Sequence, residues 1–161
     1  MTEKEFNQCV DLYADALFRF IVKNIRHEED ARDIVQSSFE TLWNHRKQVM
    51  PDKAKAYLFT VGYRNMIDHL RRSKRITLVE DFPEDESVIM EEAHDAKALL
   101  QKGLNRLNAT QRSLVMLKDY EGYSYAEIGQ ITGLNESQVK VYLHRARIIL
   151  KNFIVKKENI L

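Results

Sequence analysis

The chain is poor in the residues that interrupt helices or cross-link folds. Its 161 residues include five glycines, two prolines and one cysteine, while 44% are hydrophobic and 30% are charged. So few turn residues argue against an all-β fold, and a single cysteine excludes an internal disulfide. We expect a nearly all-helical protein that is long enough for one sizeable core or two small ones.

Long apolar runs are also missing. No stretch approaches the ~18 apolar residues that cross a bilayer, and the start "MTEKEF" is too polar and acidic for a signal peptide. We therefore expect a cytoplasmic protein.

The net charge of +1 hides strong local charge. Residues 1–43 carry 5 basic and 9 acidic groups, whereas residues 44–75 carry 9 basic and 2 acidic groups. Residues 80–95 contain 8 acids and no Lys or Arg, and residues 138–157 contain 6 basic groups and no acid. Two basic blocks separated by an acidic one indicate two separate contacts with a polyanion.

Apolar spacing divides the chain into two helical regions. A capping box, Thr2 with Glu5, precedes a helix from Phe6 to Ile25, a second helix is predicted from Glu28 to Arg46, and a third follows Pro51. Periodicity then fails in an acidic stretch, after which four shorter helices are predicted. The prediction is an all-α fold of two small helical domains, 1–74 and 96–161, joined by a flexible acidic linker, 75–95.

The second predicted helix has an apolar face and, beside it, a second face that carries a large aromatic side chain. Asp33, Gln36, Glu40 and Trp43 fall within about 80° of one another, beside an apolar arc that includes Phe39 and Leu42. A small domain normally buries only one face, so the stripe ending at Trp43 is a candidate partner surface.

The stretch "YSYAEIGQITGLNESQVKVYLHRAR" predicts a helix-turn-helix. Ser124 with Glu127 and Asn135 with Gln138 mark two helix starts, and Gly133 suits a turn that needs positive φ. A helical hairpin of similar spacing is the structural alternative. The second helix favours DNA reading, because short polar groups precede cations on its exposed side: Glu136, Ser137, Lys140, Val141, His144 and Arg145.

The other basic block, "RNMIDHLRRSKR", follows three aromatic residues, Tyr57, Phe59 and Tyr63. Cations could simply favour the C-terminal end of a helix. Aromatic rings interleaved with cations are also what single-stranded nucleic acid needs, since bases stack while phosphates are neutralised.

The sequence gives little support for catalytic activity. Phosphate-binding, nucleophile-elbow and zinc-protease motifs are absent, and the five histidines are scattered away from Cys9. We expect no catalytic residues, no metal site and no cofactor.

Four motifs in order give the chain a resemblance to extracytoplasmic-function (ECF) sigma factors, the small two-domain class of bacterial transcription initiation factor. They are "DARDIVQSSFETLW", "AYLFTVGYRNMIDHLRR", "LNRLNATQRSLVMLKDYEGYSYAEIG" and "LNESQVKVYLHRAR". The resemblance implies binding to core RNA polymerase through the β′ clamp helices and the β flap, to promoter DNA, and to an anti-sigma factor.

The resemblance also assigns residues to three surfaces. The polymerase-binding set is Asp33, Gln36, Phe39, Glu40, Leu42 and Trp43. The set for the melted minus-ten element is Tyr57, Tyr63, Arg64, Asn65, Asp68, Arg71, Arg72 and Arg75. The set for the minus-thirty-five duplex is Ser124, Glu136, Ser137, Lys140, Val141, His144, Arg145 and Arg147.

The predicted function is therefore a sigma factor that directs promoter-specific initiation. One alternative is an autonomous helix-turn-helix regulator that binds DNA without joining polymerase. Another is a helical adaptor whose basic blocks meet acidic proteins.

Overall fold

The computed structural model describes the backbone of residues 1–76 and 96–160 and the side chains of residues 1–73 and 96–157. Those residues form helices joined by short turns, with a 3₁₀ turn at Pro51–Lys53. The helices are α1 (Glu3–Ile25), α2 (Glu28–Asn44), α3 (Ala54–Ile76), α4 (Ala96–Asn105), α5 (Ala109–Val115), α6 (Tyr125–Thr132) and α7 (Glu136–Ile160). The predicted all-α fold is confirmed.

Helices α1, α2 and α3 pack on one another around one core. Leu17 and Phe20 of α1 are fully buried, as are Leu42 of α2 and Phe59 of α3. Gly62 allows α3 to approach α1 closely, since a Cβ there would lie 2.9 Å from Leu17 Cδ1. Each such side chain contributes about 1.5–3 kcal/mol by leaving water, so the apolar spacing largely determines this packing.

Local signals set the helix starts. In the Thr2 capping box, the Glu5 N–H donates to Thr2 Oγ1 at 3.1 Å and the Thr2 N–H donates to Glu5 Oε1 at 3.3 Å. The box moves the beginning of α1 to Glu3, three residues before the predicted start. Pro51 begins the 3₁₀ turn that leads into α3.

Helices α4 to α7 form the second unit. Helix α5 continues into a π-helical turn at Met116–Tyr120, and α7 extends over 25 residues. The prediction of four shorter helices was therefore wrong for α7. Its buried Val139, Leu143, Ala146 and Leu150 continue at helical spacing and keep it packed on α4 and α5.

The two units pack directly against each other, mainly through α3 on α6 and α1 on α5. The rings of Phe59 and Tyr123 meet edge-on at 5.8 Å between centroids, and Arg112 donates to the Asn24 carbonyl at 2.9 Å. The predicted acidic linker was 75–95; residues 75 and 76 belong to α3, and residues 77–95 lie outside the described residues.

Candidate functional site

An apolar groove of about 890 Å³ runs between α1 and α2. Its walls are apolar side chains of both helices, and its edges are polar. The apolar lining consists of Phe6, Val10, Ala14, Phe18, Val35, Phe39 and Trp43, and the polar lining of Asp15, Arg32, Gln36, Glu40 and Asn44. A groove of this size with polar edges suits the apolar face of a partner helix.

The α1 wall of the groove was not predicted as a site. Phe6, Val10, Ala14 and Phe18 recur at intervals of four, which places them on one face of α1. The core-facing residues Leu17 and Phe20 lie on another face. The signal was present in the sequence as a second apolar stripe beside the core-facing one.

Trp43 lies at the boundary between the core and the groove. Its half-buried ring meets Phe6 edge-on at 4.9 Å, and the Arg46 guanidinium carbon lies 3.8 Å above it. Beside it, Gln36 Nε2 donates to Glu40 Oε1 at 3.2 Å. The ring is thus held in place while one side of it remains available in the groove.

The structure places the other residues predicted to bind polymerase in different environments. Leu42 is fully buried and belongs to the core, and Phe39 is 8% exposed. Asp33 is exposed but lies outside the groove, in a polar cleft of about 250 Å³ between α2 and α3. The surface that a partner could touch is therefore Gln36, Glu40 and Trp43 with the edge of Phe39.

The polar cleft brings Asp33 together with part of the predicted minus-ten set. Asn65, Asp68 and Arg72 line it, and His69 Nε2 lies 3.3 Å from Asp30 Oδ2 at its edge. Arg64, Arg71 and Arg72 are exposed along α3, whereas the Arg75 side chain lies outside the described residues. This face of α3 combines cations with polar groups that can hydrogen bond to bases.

The two predicted minus-ten tyrosines differ in environment. Tyr57 is half-buried, with its ring 6.5 Å from that of His45. Tyr63 is only 8% exposed, and the Thr110 side chain of α5 lies near its hydroxyl. Burial raises the pKa of Tyr63. In this arrangement of the two units, its ring is not available for stacking.

The helix-turn-helix has the geometry that its residues predict. The Glu127 N–H donates to Ser124 Oγ at 3.1 Å, and the Gln138 N–H donates to Asn135 Oδ1 at 2.8 Å. Gly133 ends α6 with φ of +82°. Gly129 permits the close approach of the two helices, since a Cβ there would lie 2.8 Å from the Leu134 carbonyl oxygen.

Helix α7 buries one face and exposes the predicted DNA-reading face. Val139 and Leu143 are buried, while the predicted residues of the same turns are exposed: Glu136, Ser137, Lys140, Val141, His144 and Arg145. Lys140 Nζ lies 3.8 Å from Glu136 Oε1 and 5.4 Å from the centre of the Tyr125 ring. The recognition face is thus open to a DNA groove.

Two predicted minus-thirty-five residues are exposed but also make structural contacts within their own unit. Ser124 is the N-cap of α6. The Arg147 guanidinium donates to both Asp119 oxygens, at 2.6 and 3.4 Å, and this pairing raises the pKa of Arg147. Ser124 therefore stabilises the start of α6, and Arg147 links α7 to the π-helical turn before the motif.

Among the described residues, no three His, Cys, Asp or Glu side chains are grouped so that they could hold a metal ion. Among the described helices, none combines the length and the apolar character that a membrane span requires.

Comparison with known proteins identifies both units. Residues 9–76 match the family model for sigma-70 region 2, and residues 97–150 match the model for sigma-70 region 4. The chain is therefore a transcription initiation factor of the sigma-70 type. The ECF sigma factor SigL of Mycobacterium tuberculosis is 32% identical over 145 residues, covering 84% of this chain and 81% of SigL. The chain belongs to the ECF sigma factors, which direct core RNA polymerase to promoters.

Solved structures of sigma factors share the whole fold. RpoE of Bartonella quintana, solved in complex with the anti-sigma factor NepR, has a TM-score of 0.76 at 28% identity and covers 94% of this chain and 97% of its own. CnrH, solved with the cytosolic domain of CnrY, has a TM-score of 0.70 at 25% identity over 96% of this chain and 90% of its own. The alternative of an autonomous regulator is not favoured, since region 2 accounts for the whole first unit.

Proposed function

We propose that the α1–α2 groove, with Trp43 in its wall, is the surface that binds core polymerase. An apolar groove flanked by Gln36 and Glu40 fits the face of a helix, and the β′ clamp helices supply one. Trp43 is the candidate hot spot, because a half-buried aromatic residue beside apolar neighbours can bury further area when a partner arrives.

The two basic surfaces would then bind the promoter. The exposed Arg64, Arg71 and Arg72 of α3 would neutralise phosphates of the melted minus-ten strand, beside Asn65 and the other polar residues of the cleft. The exposed face of α7 would enter the major groove of the minus-thirty-five duplex, while the second unit as a whole meets the β flap.

The protein acts in this proposal by positioning polymerase and stabilising the opened promoter, with no catalytic residues of its own. It would act in the cytoplasm, where polymerase and promoters are. An anti-sigma factor is a further expected partner, since the similar RpoE was solved in complex with the anti-sigma factor NepR.

The observation that carries the proposal is the groove, because DNA binding alone would not require an apolar surface on the opposite unit from the helix-turn-helix. The test adds the full chain to core polymerase with a promoter library and sequences the transcripts. Initiation from a discrete promoter set is expected. Tight duplex binding with no specific initiation would support an autonomous regulator instead.

A further inference from the structure

Helix α7 exposes apolar side chains on the side opposite its core face. Four of the seven large apolar side chains exposed in the described part of the chain lie on this helix: Val141, Ile148, Ile149 and Val155. Val141, Ile148 and Val155 recur every seven residues, so they fall within about 40° of one another and extend over about 21 Å. Each is 45% or 46% exposed, and together they form an apolar ridge, the α7 ridge.

Basic side chains flank the α7 ridge on both sides. The exposed flanking residues are Lys140, His144 and Lys151 on one side and Arg145 and Lys156 on the other. The sequence contains no Asp or Glu from residue 137 to residue 157, and Glu136, which lies 3.8 Å from Lys140, precedes the ridge. The ridge therefore lies within a positive surface, which favours an anionic partner.

The combination of ridge and cations favours a lipid surface over other anionic partners. DNA phosphates attract the cations but leave the apolar side chains in water. A partner helix packs on apolar residues that alternate at intervals of three and four. The positions between the ridge residues are instead polar: His144, Arg145, Lys151 and Asn152. At a bilayer, apolar side chains enter the headgroup boundary while flanking Lys and Arg extend to the headgroup phosphates.

We propose that the α7 ridge binds the anionic surface of a lipid bilayer, with the helix lying parallel to the membrane. Ile148 and Val155 enter the headgroup boundary, and Lys151 and Lys156 bind lipid phosphates on either side of them. The match to sigma-70 region 4 ends at residue 150, so Lys151, Val155 and Lys156 lie outside the part of α7 that this family model covers.

The α7 ridge shares residues with the proposed duplex-reading face. Lys140, Val141 and His144 belong to both surfaces. Because α7 cannot lie on a bilayer and in a major groove at the same time, the two partners must compete. This consequence rests on the proposed function of α7. An anionic membrane would thus lower the amount of chain available to promoters.

The first experiment measures lipid binding of the full chain. It is mixed with vesicles of equal parts phosphatidylcholine and phosphatidylglycerol, or of phosphatidylcholine alone, and the bound fraction is measured by flotation. Binding to the anionic vesicles alone is expected. Absence of binding to the anionic vesicles would overturn the proposal, and equal binding to both would refute the role of the cations.

A dye on the ridge tests whether the apolar side chains enter the bilayer. An environment-sensitive dye at Ile148→Cys, in a chain whose buried Cys9 is replaced by Ala, should shift its emission to shorter wavelength with anionic vesicles. The same dye at Glu29→Cys, exposed on α2, should not shift. Equal responses at both positions would contradict insertion of the ridge.

Substitutions separate apolar insertion from charge, and circular dichroism checks that each variant is folded. Ile148→Ser should lower the vesicle partition coefficient about fivefold, whereas Ile149→Ser, about 100° around the helix, should change it about twofold at most. Lys151→Gln and Lys156→Gln should each lower it about fivefold, and Lys4→Gln on α1 is the charge-matched control. An unchanged Ile148→Ser variant, or equal losses in all three lysine variants, would refute the ridge as the binding surface.

Two results would assign the ridge to another occupant and overturn the proposal. A dimer that is lost in Ile148→Ser, found in place of vesicle binding, would assign the ridge to a second copy of the chain. A dye response at position 148 to duplex DNA, with none to vesicles, would assign it to DNA.

Initiation assays distinguish this proposal from the proposed function. Anionic vesicles should reduce initiation by the unmodified chain and have less effect on the Lys151→Gln, Lys156→Gln double variant, which should initiate normally without vesicles. Equal inhibition of both chains would refute the competition. Normal initiation without vesicle binding would overturn only the lipid proposal, whereas vesicle binding without any initiation would contradict the proposed function.

Discussion

Replacing Trp43 by Ala tests whether the groove is a binding surface or only an edge of the core. The ring makes two contacts that the variant would lose, the edge-on contact with Phe6 at 4.9 Å and the contact with the Arg46 guanidinium at 3.8 Å. An aromatic pair contributes about 0.5–1.5 kcal/mol and an exposed cation–π contact about 0.5–1 kcal/mol. The free energy of unfolding should therefore fall by about 1–2.5 kcal/mol.

The expected loss of polymerase affinity is larger. An aromatic hot spot typically accounts for about 2–4 kcal/mol of binding, which corresponds to about 30-fold to 900-fold in the dissociation constant. Urea unfolding measures the first quantity, and titration of labelled chain with core polymerase, at temperatures where both chains are folded, measures the second.

Leu17→Ala is the matched control, because Leu17 is fully buried on the core face of α1 and does not line the groove. It should lower the free energy of unfolding by about 2–5 kcal/mol while the folded protein keeps its affinity for polymerase. The reasoning is refuted if Trp43→Ala, like Leu17→Ala, lowers the free energy of unfolding while the folded protein keeps its affinity for polymerase.

Four other substitutions test the second unit. Lys140→Ala and Arg145→Ala should weaken duplex binding and reduce the slope of log affinity against log salt by about 0.9 for each lost phosphate contact, and an unchanged slope would exclude phosphate contact. Ser124→Ala should lower the free energy of unfolding by about 1 kcal/mol at neutral pH. Hydrogen bonds from the backbone N–H and the side chain of Ser124 lower the pKa of Glu127, so the part of the capping box that depends on the Glu127 carboxylate is present above the ordinary carboxyl pKa and is lost as the pH falls through the lowered value. The bond from the Glu127 N–H to Ser124 Oγ does not titrate, so urea unfolding should show the loss for Ser124→Ala at pH 7 and most of it at pH 3, whereas no loss at either pH would count against the capping box. Gly129→Ala, measured by the same unfolding method, should lose about 1–3 kcal/mol because its Cβ would meet backbone at 2.8 Å, and no loss would mean that the turn can relax.

Local signals predicted the helix boundaries well because each depends on a few neighbouring residues. The Thr2, Ser124 and Asn135 caps and the positive φ of Gly133 were all readable from adjacent residues. The exposed face of α7 followed from the same logic, since Val139 and Leu143 had to be buried on the other side.

Contacts between distant segments were not predicted. The buried Arg112 donates to the Asn24 carbonyl, 88 residues away along the chain, and nothing in the sequence near either residue indicates this contact. Arg147 was assigned to DNA on its place in a basic helix, although the structure pairs it with Asp119 on another element.

Only one of the two sides of the groove was predicted from the sequence. The α2 side was predicted because Trp43 fell out of line with the leucines. Its α1 side, Phe6 to Phe18, could be recognised only once the two helices were side by side. Periodicity indicates that a face is apolar, but the arrangement of neighbouring elements decides whether that face is core or surface.

Photocrosslinking in a promoter complex tests most directly whether the groove binds polymerase and α7 binds promoter DNA. A benzophenone amino acid in place of Val35, in the groove, should crosslink to the β′ subunit, and one in place of Val141, 46% exposed on α7, should crosslink to promoter DNA. Crosslinking of the Val35 position to DNA, or of the Val141 position to β′ alone, would contradict the account.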